Sequence, residues 1–316
     1  VQGLEVHYRV LGKTGIRVSE IGIGCASFWG KKLFSEDEAR RLIHVAIDQG
    51  VTFFDTASSY SGGNAEARLG RALADLRSTR HDLIVSTKIG SHTNRIGRAY
   101  GDFRPSAVRR SVEMSLRRLN LETLPILLLH GPDFDEFNTD GLLHELSKLK
   151  CEGKFRHLGI NSFESDMIEH VLTLPQFEIV MIDYNILKPE RAALLEKLFN
   201  ANLGILAARP LAGAAFSDTR KPSRSIRDMW YSLRAWRHHK WESDIAPQIH
   251  FINRLAGWSG SQVALSWVLQ NRHVHCAVFG TTRMEHLLEN LAVTDMTLDP
   301  AVSEMIETTI RAARGT

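Results

Sequence analysis

The amino-acid sequence predicts an α/β protein: a (β/α)8 TIM barrel with an N-terminal β-hairpin and an inserted helical loop after strand seven. Three observations predict it. Eight short, β-rich apolar runs alternate with segments whose apolar residues recur at helical spacing. The second, third and fourth of those runs each close on a titratable residue, Asp55, Lys88 and His130, at the strand end where a parallel barrel carries its chemistry. The 316 residues also contain no linker, repeat or low-complexity segment. One domain over residues 1–316 is therefore expected, a size that such barrels reach as single units.

The elements follow in order. "HYRVLGKTGIRVSEIG" is a pair of short runs about a Gly-containing turn, a hairpin ahead of the first barrel strand. The barrel strands are then Ile21–Gly24, Thr52–Asp55, Leu83–Lys88, Ile126–His130, Phe155–Ile160, Ile179–Asp183, Gly204–Ala208 and Val274–Phe279. Between them, "SEDEARRLIHVAIDQG" begins with a capping box, Ser35 and Glu38, and stops at Gly50. "PSAVRRSVEMSLRRLN" opens on Pro105 at the first helical position, and "DGLLHELSKLKCEG" stops at Gly153.

Composition narrows the function classes. With 43% apolar and 24% charged residues a sizeable core can form. A formal net charge of +3 argues against a dedicated nucleic-acid partner and leaves small anionic ligands open. Apolar runs such as "LPILLL" fall far short of the ~20 residues of a membrane span, so no membrane partner is expected. Cys25, Cys151 and Cys276 are odd in number and far apart, and no signal peptide pattern opens the chain. Reduced thiols in a cytoplasmic protein follow. No metal is expected: His238-His239 and the pair His273 and His275 lack carboxylate or thiol partners at ligand spacing. The pattern carries no information on oligomeric state.

The strand ends carry the chemistry. "FFDTA", "IVSTK" and "LLLHGPD" place Asp55, Lys88 and His130 at one mouth, with Tyr60 one loop beyond Asp55. Charged groups at the close of apolar strands need partners, and here they can serve one another. Tyrosine titrates near ~10, and a neighbouring ammonium stabilises its phenolate. Lys88 can supply that ammonium, Asp55 can hold it, and His130 can orient a substrate oxygen. The set forms an acid/base device for interconverting a carbonyl and an alcohol. No side chain donates hydride, so a nicotinamide cofactor is implied.

Across essentially its whole length the chain resembles the aldo-keto reductase superfamily. "LGKTGIRVSEIGIG" is similar to the family's opening hairpin and first strand, and "GVTFFDTASSYSGGNAEARLGRAL" to its second-strand signature, with Asp55 and Tyr60 at catalytic positions. "STK" and "LLLHGPD" match through Lys88 and His130. "GKFRHLGINSF", "DYNIL" and "FGTTRMEHLLENL" resemble the segments at strands five, six and eight. The resemblance implies an NADP-dependent oxidoreductase, with NAD as the alternative cofactor, acting on an aldehyde, ketone or sugar. It places Gly24, Asp55, Asn161 and Ser162 at the nicotinamide end. Pro210, Leu211, Gly280, Thr281, Arg283, Glu289 and Asn290 fall along the rest of the dinucleotide. It also makes Phe28 and Trp29 walls of the substrate pocket.

Several positions depart from the family pattern. Asn161-Ser162 reverses the usual Ser-Asn order, Met181 replaces a Gln, and Ala208 replaces an aromatic that stacks on nicotinamide. Gly280 and His286 stand where cations are frequent, which weakens the 2′-phosphate preference. Two readings follow: a redox enzyme with altered nicotinamide contacts, or a non-redox barrel. The second would use the tetrad for lyase- or epimerase-like chemistry, or would only bind a ligand. In the insertion, "TRKPSRSIRDMWYSLRAWRHHKWESD" spaces Ile226, Met229, Trp230 and Leu233 along one helical stripe. It reads either as rim packing or as a lid in which Trp230 and nearby arginines favour an anionic or bulky substrate.

Overall fold

A computed structural model describes residues 6–26, 28–74, 76, 82–93, 99–212, 246–255 and 257–314. Strands β1 (Tyr8–Val10) and β2 (Arg17–Ser19) pair antiparallel as the expected hairpin. Eight strands then close a parallel barrel in chain order: β3 (Ile21–Gly24), β4 (Phe53–Asp55), β5 (Ile84–Ile89), β8 (Leu124–His130), β9 (Phe155–Asn161), β10 (Ile179–Asp183), β11 (Gly204–Ala208) and β12 (Cys276–Phe279). A second antiparallel hairpin, β6 (Ser91–Thr93) with β7 (Ala99–Gly101), follows β5. The helices between strands are α1 (Glu36–Asp48), α2 (Asn64–Ala74), α3 (Pro105–Leu119), the single-turn α4 (Phe134–Phe137), α5 (Leu142–Cys151), α6 (Ser165–Leu172) and α7 (Ala192–Asn200). After β11 come α8 (Gly260–Gln270), α9 (Met284–Leu291) and α10 (Pro300–Arg314). None is long and apolar enough to cross a membrane.

Local signals set these boundaries. Ser35 Oγ accepts from Glu38 N at 3.2 Å while Glu38 Oε2 accepts from Ser35 N at 2.9 Å, the reciprocal bonds of the capping box. Ala39, Leu42, Ile43, Ala46 and Ile47, spaced at i, i+3, i+4, i+7 and i+8, are the buried face of α1. Pro105 starts α3, and Asn120 ends it in the left-handed region (φ 53°).

Period-2 alternation sorts the strands into two cores. Leu127 and Leu129 of β8 and Val180 and Ile182 of β10 face the helix shell. Ile126, Leu128, Ile179 and Met181 fill the barrel interior together with Phe53, Leu206, Cys276 and Val278. Each such side chain contributes roughly 1.5–3 kcal/mol by leaving water. The first hairpin packs Leu11 and Val18 into the interior cluster and so closes the N-terminal end of the barrel. Gly12 makes that seat possible: it has φ +50°, and a Cβ there would lie 2.3 Å from Gly204 N.

Strand bounds shift from the sequence expectation by one residue at Phe53, at both ends of β5 and at Asn161, and by two at the fourth and eighth barrel strands, the fourth beginning at Leu124 rather than Ile126. The eighth begins at Cys276 rather than Val274, because Val274 N bonds back to Asn271 O and the His275 ring takes over a ladder position. His275 Nδ1 accepts from Ile205 N at 3.0 Å. Burial, followed by the charge of Arg9, pushes its pKa down to about 4, so His275 is a neutral structural group. The inserted helical loop, with Trp230 and His238-His239, lies outside the described residues.

Candidate active site

The barrel register brings Asp55 and Lys88 together. Asp55 pairs with Ser86 across β4 and β5, and Lys88 lies two residues on, so both β5 side chains point to the same face. Ser86 Oγ donates to Asp55 Oδ1 at 2.5 Å, and Lys88 Nζ donates to Asp55 Oδ2 at 2.5 Å and to Thr56 O at 2.9 Å. Lys88 is 1% exposed and Asp55 5%. Burial alone would discharge the lysine. Attraction to Asp55 and to Tyr60, with hydrogen bonds to both side chains, outweighs it and raises the Lys88 pKa.

Backbone bonds to β5 carry Tyr60 over this ammonium. Thr56 N bonds to Ser86 O and Ser58 N to Lys88 O, both at 2.9 Å, so the segment after β4 extends the ladder before it turns. Ser61 (φ 51°), Gly62 (φ 65°) and Gly63 (φ 90°) then turn the chain into α2 through left-handed backbone. The ring of Tyr60 lies 5.3 Å from Lys88 Nζ and meets the His130 ring edge-on, centroids 5.6 Å apart at 88°. His130 ends β8 at the mouth. Burial, then the Lys88 charge, pushes its pKa down to about 3, so the imidazole is neutral at physiological pH. Its Nδ1 is buried and has no hydrogen-bond partner. All four residues chosen from the sequence therefore meet at one strand-end cluster.

The other expected positions are distributed around that mouth. Gly24 pairs with Asp55, and Asn161 pairs with His130 and with Met181. Asn161 Nδ2 donates to Met181 O at 3.2 Å, and Ser162 Oγ accepts from Glu164 N at 3.2 Å. The Met181 side chain is 2% exposed and turned into the barrel interior, so only its backbone takes part here. Ala208, the last residue of β11, is half-buried, and Arg209 (φ 56°) lies over the Phe163 ring at 5.3 Å. Pro210 is buried and Leu211 partly so. Gly280 is exposed just beyond β12. Thr281 Oγ1 accepts from Arg283 N at 3.1 Å, which fixes the turn into α9 with Arg283 at its N-cap. Glu289 O accepts from Gln262 Nε2, and Asn290, 3% exposed, leaves Oδ1 buried without a partner. Phe28 and Trp29 sit differently from the pocket walls expected. Each is 1% exposed and packed into the helix-shell core, where Trp29 Nε1 donates to Thr281 O at 3.1 Å.

A scan against protein-family models matches the "Aldo/keto reductase family" over residues 20–311. The chain belongs to the aldo/keto reductase family. Among curated relatives it is similar to an L-galactose dehydrogenase of Arabidopsis thaliana, at 29% identity over 91% of this chain and 88% of that one. It is similar as well to an L-glyceraldehyde 3-phosphate reductase of Escherichia coli O157:H7, at 28% identity over 91% and 87%. Among solved structures, the glycerol dehydrogenase of Gluconobacter oxydans shares the fold with a TM-score of 0.77 at 22% identity, over 100% of this chain and 98% of that one. This aldo/keto reductase is thus an oxidoreductase that acts on carbonyl and alcohol substrates, and NAD(P)H is the cofactor its family implies.

The aldo/keto reductase site also contains a support that sequence reasoning missed. Glu66, fully buried in α2, accepts from Thr87 Oγ1 at 2.7 Å and from Arg118 Nη1 at 3.2 Å. Arg118 Nη1 also donates to Ser58 O at 3.4 Å. This network binds the Tyr60 loop to β5 and α3. Gly63 leaves room for it, since a Cβ there would lie 2.1 Å from Arg118 Cζ. Strand parity could have found Ser86, two residues before Lys88 on the same face, but the sequence reading did not single it out; Arg118, 52 residues from its carboxylate, gave no local signal.

Proposed function

We propose that this aldo/keto reductase interconverts a carbonyl and an alcohol with Tyr60 as general acid and base, and that NADP is its preferred cofactor. The observation that carries the reading is the fully enclosed Lys88 ammonium, bonded to Asp55 on one side and facing the Tyr60 ring, 5.3 Å away, on the other. In the reducing direction the Tyr60 hydroxyl gives its proton to the substrate oxygen. Lys88 stabilises the phenolate that remains, and Asp55 keeps that charge in place. His130, neutral, has one N–H to donate and cannot compete as the proton source. It orients the oxygen toward Tyr60.

The residues present fit a dinucleotide. Asn290 Oδ1 and His130 Nδ1 are buried polar atoms that the protein itself leaves unsatisfied, one at each end of the expected groove. The N-terminus of α9 has Arg283 as its cap and no side-chain capping bond, which suits an anion such as a 2′-phosphate. Gly24, Asp55, Asn161 and Ser162 would hold the nicotinamide end. Pro210, Leu211, Gly280, Thr281, Glu289 and Asn290 would hold the remainder. When bound, the nicotinamide supplies or accepts the hydride. The inward turn of Met181 supports a ring held by contacts other than the family's usual ones.

The sugar and sugar-phosphate names of the two curated relatives favour a hydroxylated aldehyde or sugar as substrate. The three described cysteines are unpaired, which supports a reducing, cytoplasmic setting. The test is Tyr60→Phe. Turnover of a sugar and aldehyde panel, followed by cofactor absorbance, should fall by at least ~10²–10⁴. NADPH affinity by fluorescence should stay as in the wild type. A variant that keeps its turnover overturns the role of Tyr60, and a wild-type protein that binds neither NADPH nor NADH overturns the redox reading.

A further inference from the structure

The loop that carries Tyr60 has a second side. Its inner face brings the phenol to Lys88 and His130, while its outer flank borders a cavity of about 330 Å³. Ser58 and Gly62 of the loop, Arg110 and Arg118 of α3, and His92 and Tyr100 of the β6–β7 hairpin wall this cavity. A space of this size accommodates a small metabolite. Two residues of its wall carry a buried polar atom without a hydrogen-bond partner, Ser58 Oγ and His92 Nε2. Two in one wall mark a space suited to a polar occupant. The His92 ring is held by stacking on Tyr100, 5.4 Å between centroids at 29°.

Charge selects that occupant. Arg110 is exposed, lines the cavity and makes no ion pair among the described residues. Arg118 adds a second guanidinium, part of which is engaged by Glu66 and Ser58 O. The acid in the wall, Asp102, is already balanced by Arg104, whose Nε and Nη2 bind its two oxygens at 2.8 and 2.7 Å. Donors from a loop, a helix and a hairpin approach from three directions, which suits a tetrahedral oxyanion with many lone pairs. We propose that this cavity is a binding site for a small phosphate-bearing molecule, held by Arg110, His92 and Ser58. It shares no lining residue with the groove assigned to the dinucleotide. A ligand there would press on Ser58 and Gly62, which flank Tyr60 in the chain.

The probe is inorganic phosphate, titrated calorimetrically into the NADPH-saturated protein, with potassium chloride at equal ionic strength as control. One phosphate should bind, and Arg110→Gln and His92→Ala should each weaken it by about tenfold or more. Arg283→Gln should leave it unchanged. Absence of binding, binding that survives both cavity substitutions, or binding lost only in Arg283→Gln would overturn the proposal. The same titration on cofactor-free protein separates failure of this site from failure of the NADP reading. Circular dichroism checks that the variants are folded.

Discussion

Replacing Asp55 by Asn keeps the shape of the side chain and removes the charge that faces Lys88. At the 2.5 Å separation of Nζ and Oδ2 the gross attraction is about 6–7 kcal/mol at an effective dielectric of ~20. Desolvation of two groups that are 1% and 5% exposed offsets part of this. Removing one partner of a buried pair costs about 3–5 kcal/mol, because the other charge is left uncompensated. Asp55→Asn should therefore lose that much stability near neutral pH in urea unfolding followed by tryptophan fluorescence. The pH dependence follows from the direction of the Lys88 shift. Its folded pKa is raised, so in the wild type its stabilising contribution is full below the unfolded value of about 10.4 and is lost only as pH rises through the higher folded value. In the variant, burial acts unopposed by Asp55 and lowers the folded pKa. The variant then gains stability as pH rises toward about 10, and the gap to the wild type narrows. Adding Lys88→Met to Asp55→Asn should recover most of the loss. A penalty below about 1 kcal/mol, the size of an exposed pair, together with a gap that is flat in pH, would refute the buried ion pair.

Further tests probe other parts of the same site. His130 has a folded pKa near 3, below its unfolded ~6.5, so its contribution to stability is full above the unfolded value and is lost as pH falls toward about 3. His130→Gln should flatten stability against pH across that window, and an unchanged slope would contradict a neutral buried imidazole. Gly63→Ala, with φ +90° and a clash against Arg118, should cost about 1–3 kcal/mol and lower kcat more than KM, measured by denaturant melts and steady-state rates. Arg283→Gln should weaken NADPH binding by about tenfold and leave NADH unchanged in fluorescence titrations, since only NADPH presents a phosphate to α9.

The tetrad was legible because polar residues closing apolar strands stand out against a packed interior, and strand ends converge in a barrel by topology alone. Alternation also predicts which way a strand residue turns. Ile179 and Met181 share the inner face while Val180 and Ile182 share the outer, so Met181 could have been assigned to the barrel interior from parity. The Glu66–Arg118–Ser58 support was hidden because its members sit on a helix, a second helix and a loop, joined only in three dimensions. The shortened last strand was hidden for a different reason. A histidine side chain substitutes for a backbone acceptor at Ile205, and no period in the sequence reports such an exchange. Trp29 in the loop after the first barrel strand looked like a pocket wall, yet it is buried and its indole ties that loop to the segment after the last strand.

The hairpin seated under the barrel has a consequence for where change is tolerated. Leu11 and Val18 cap a cylinder already filled by Ile126, Leu128, Ile179 and Met181, so no passage joins its two ends. Gly12, at the far pole from Tyr60, bears on the soundness of the fold and is insulated from the chemistry by the whole depth of that filling.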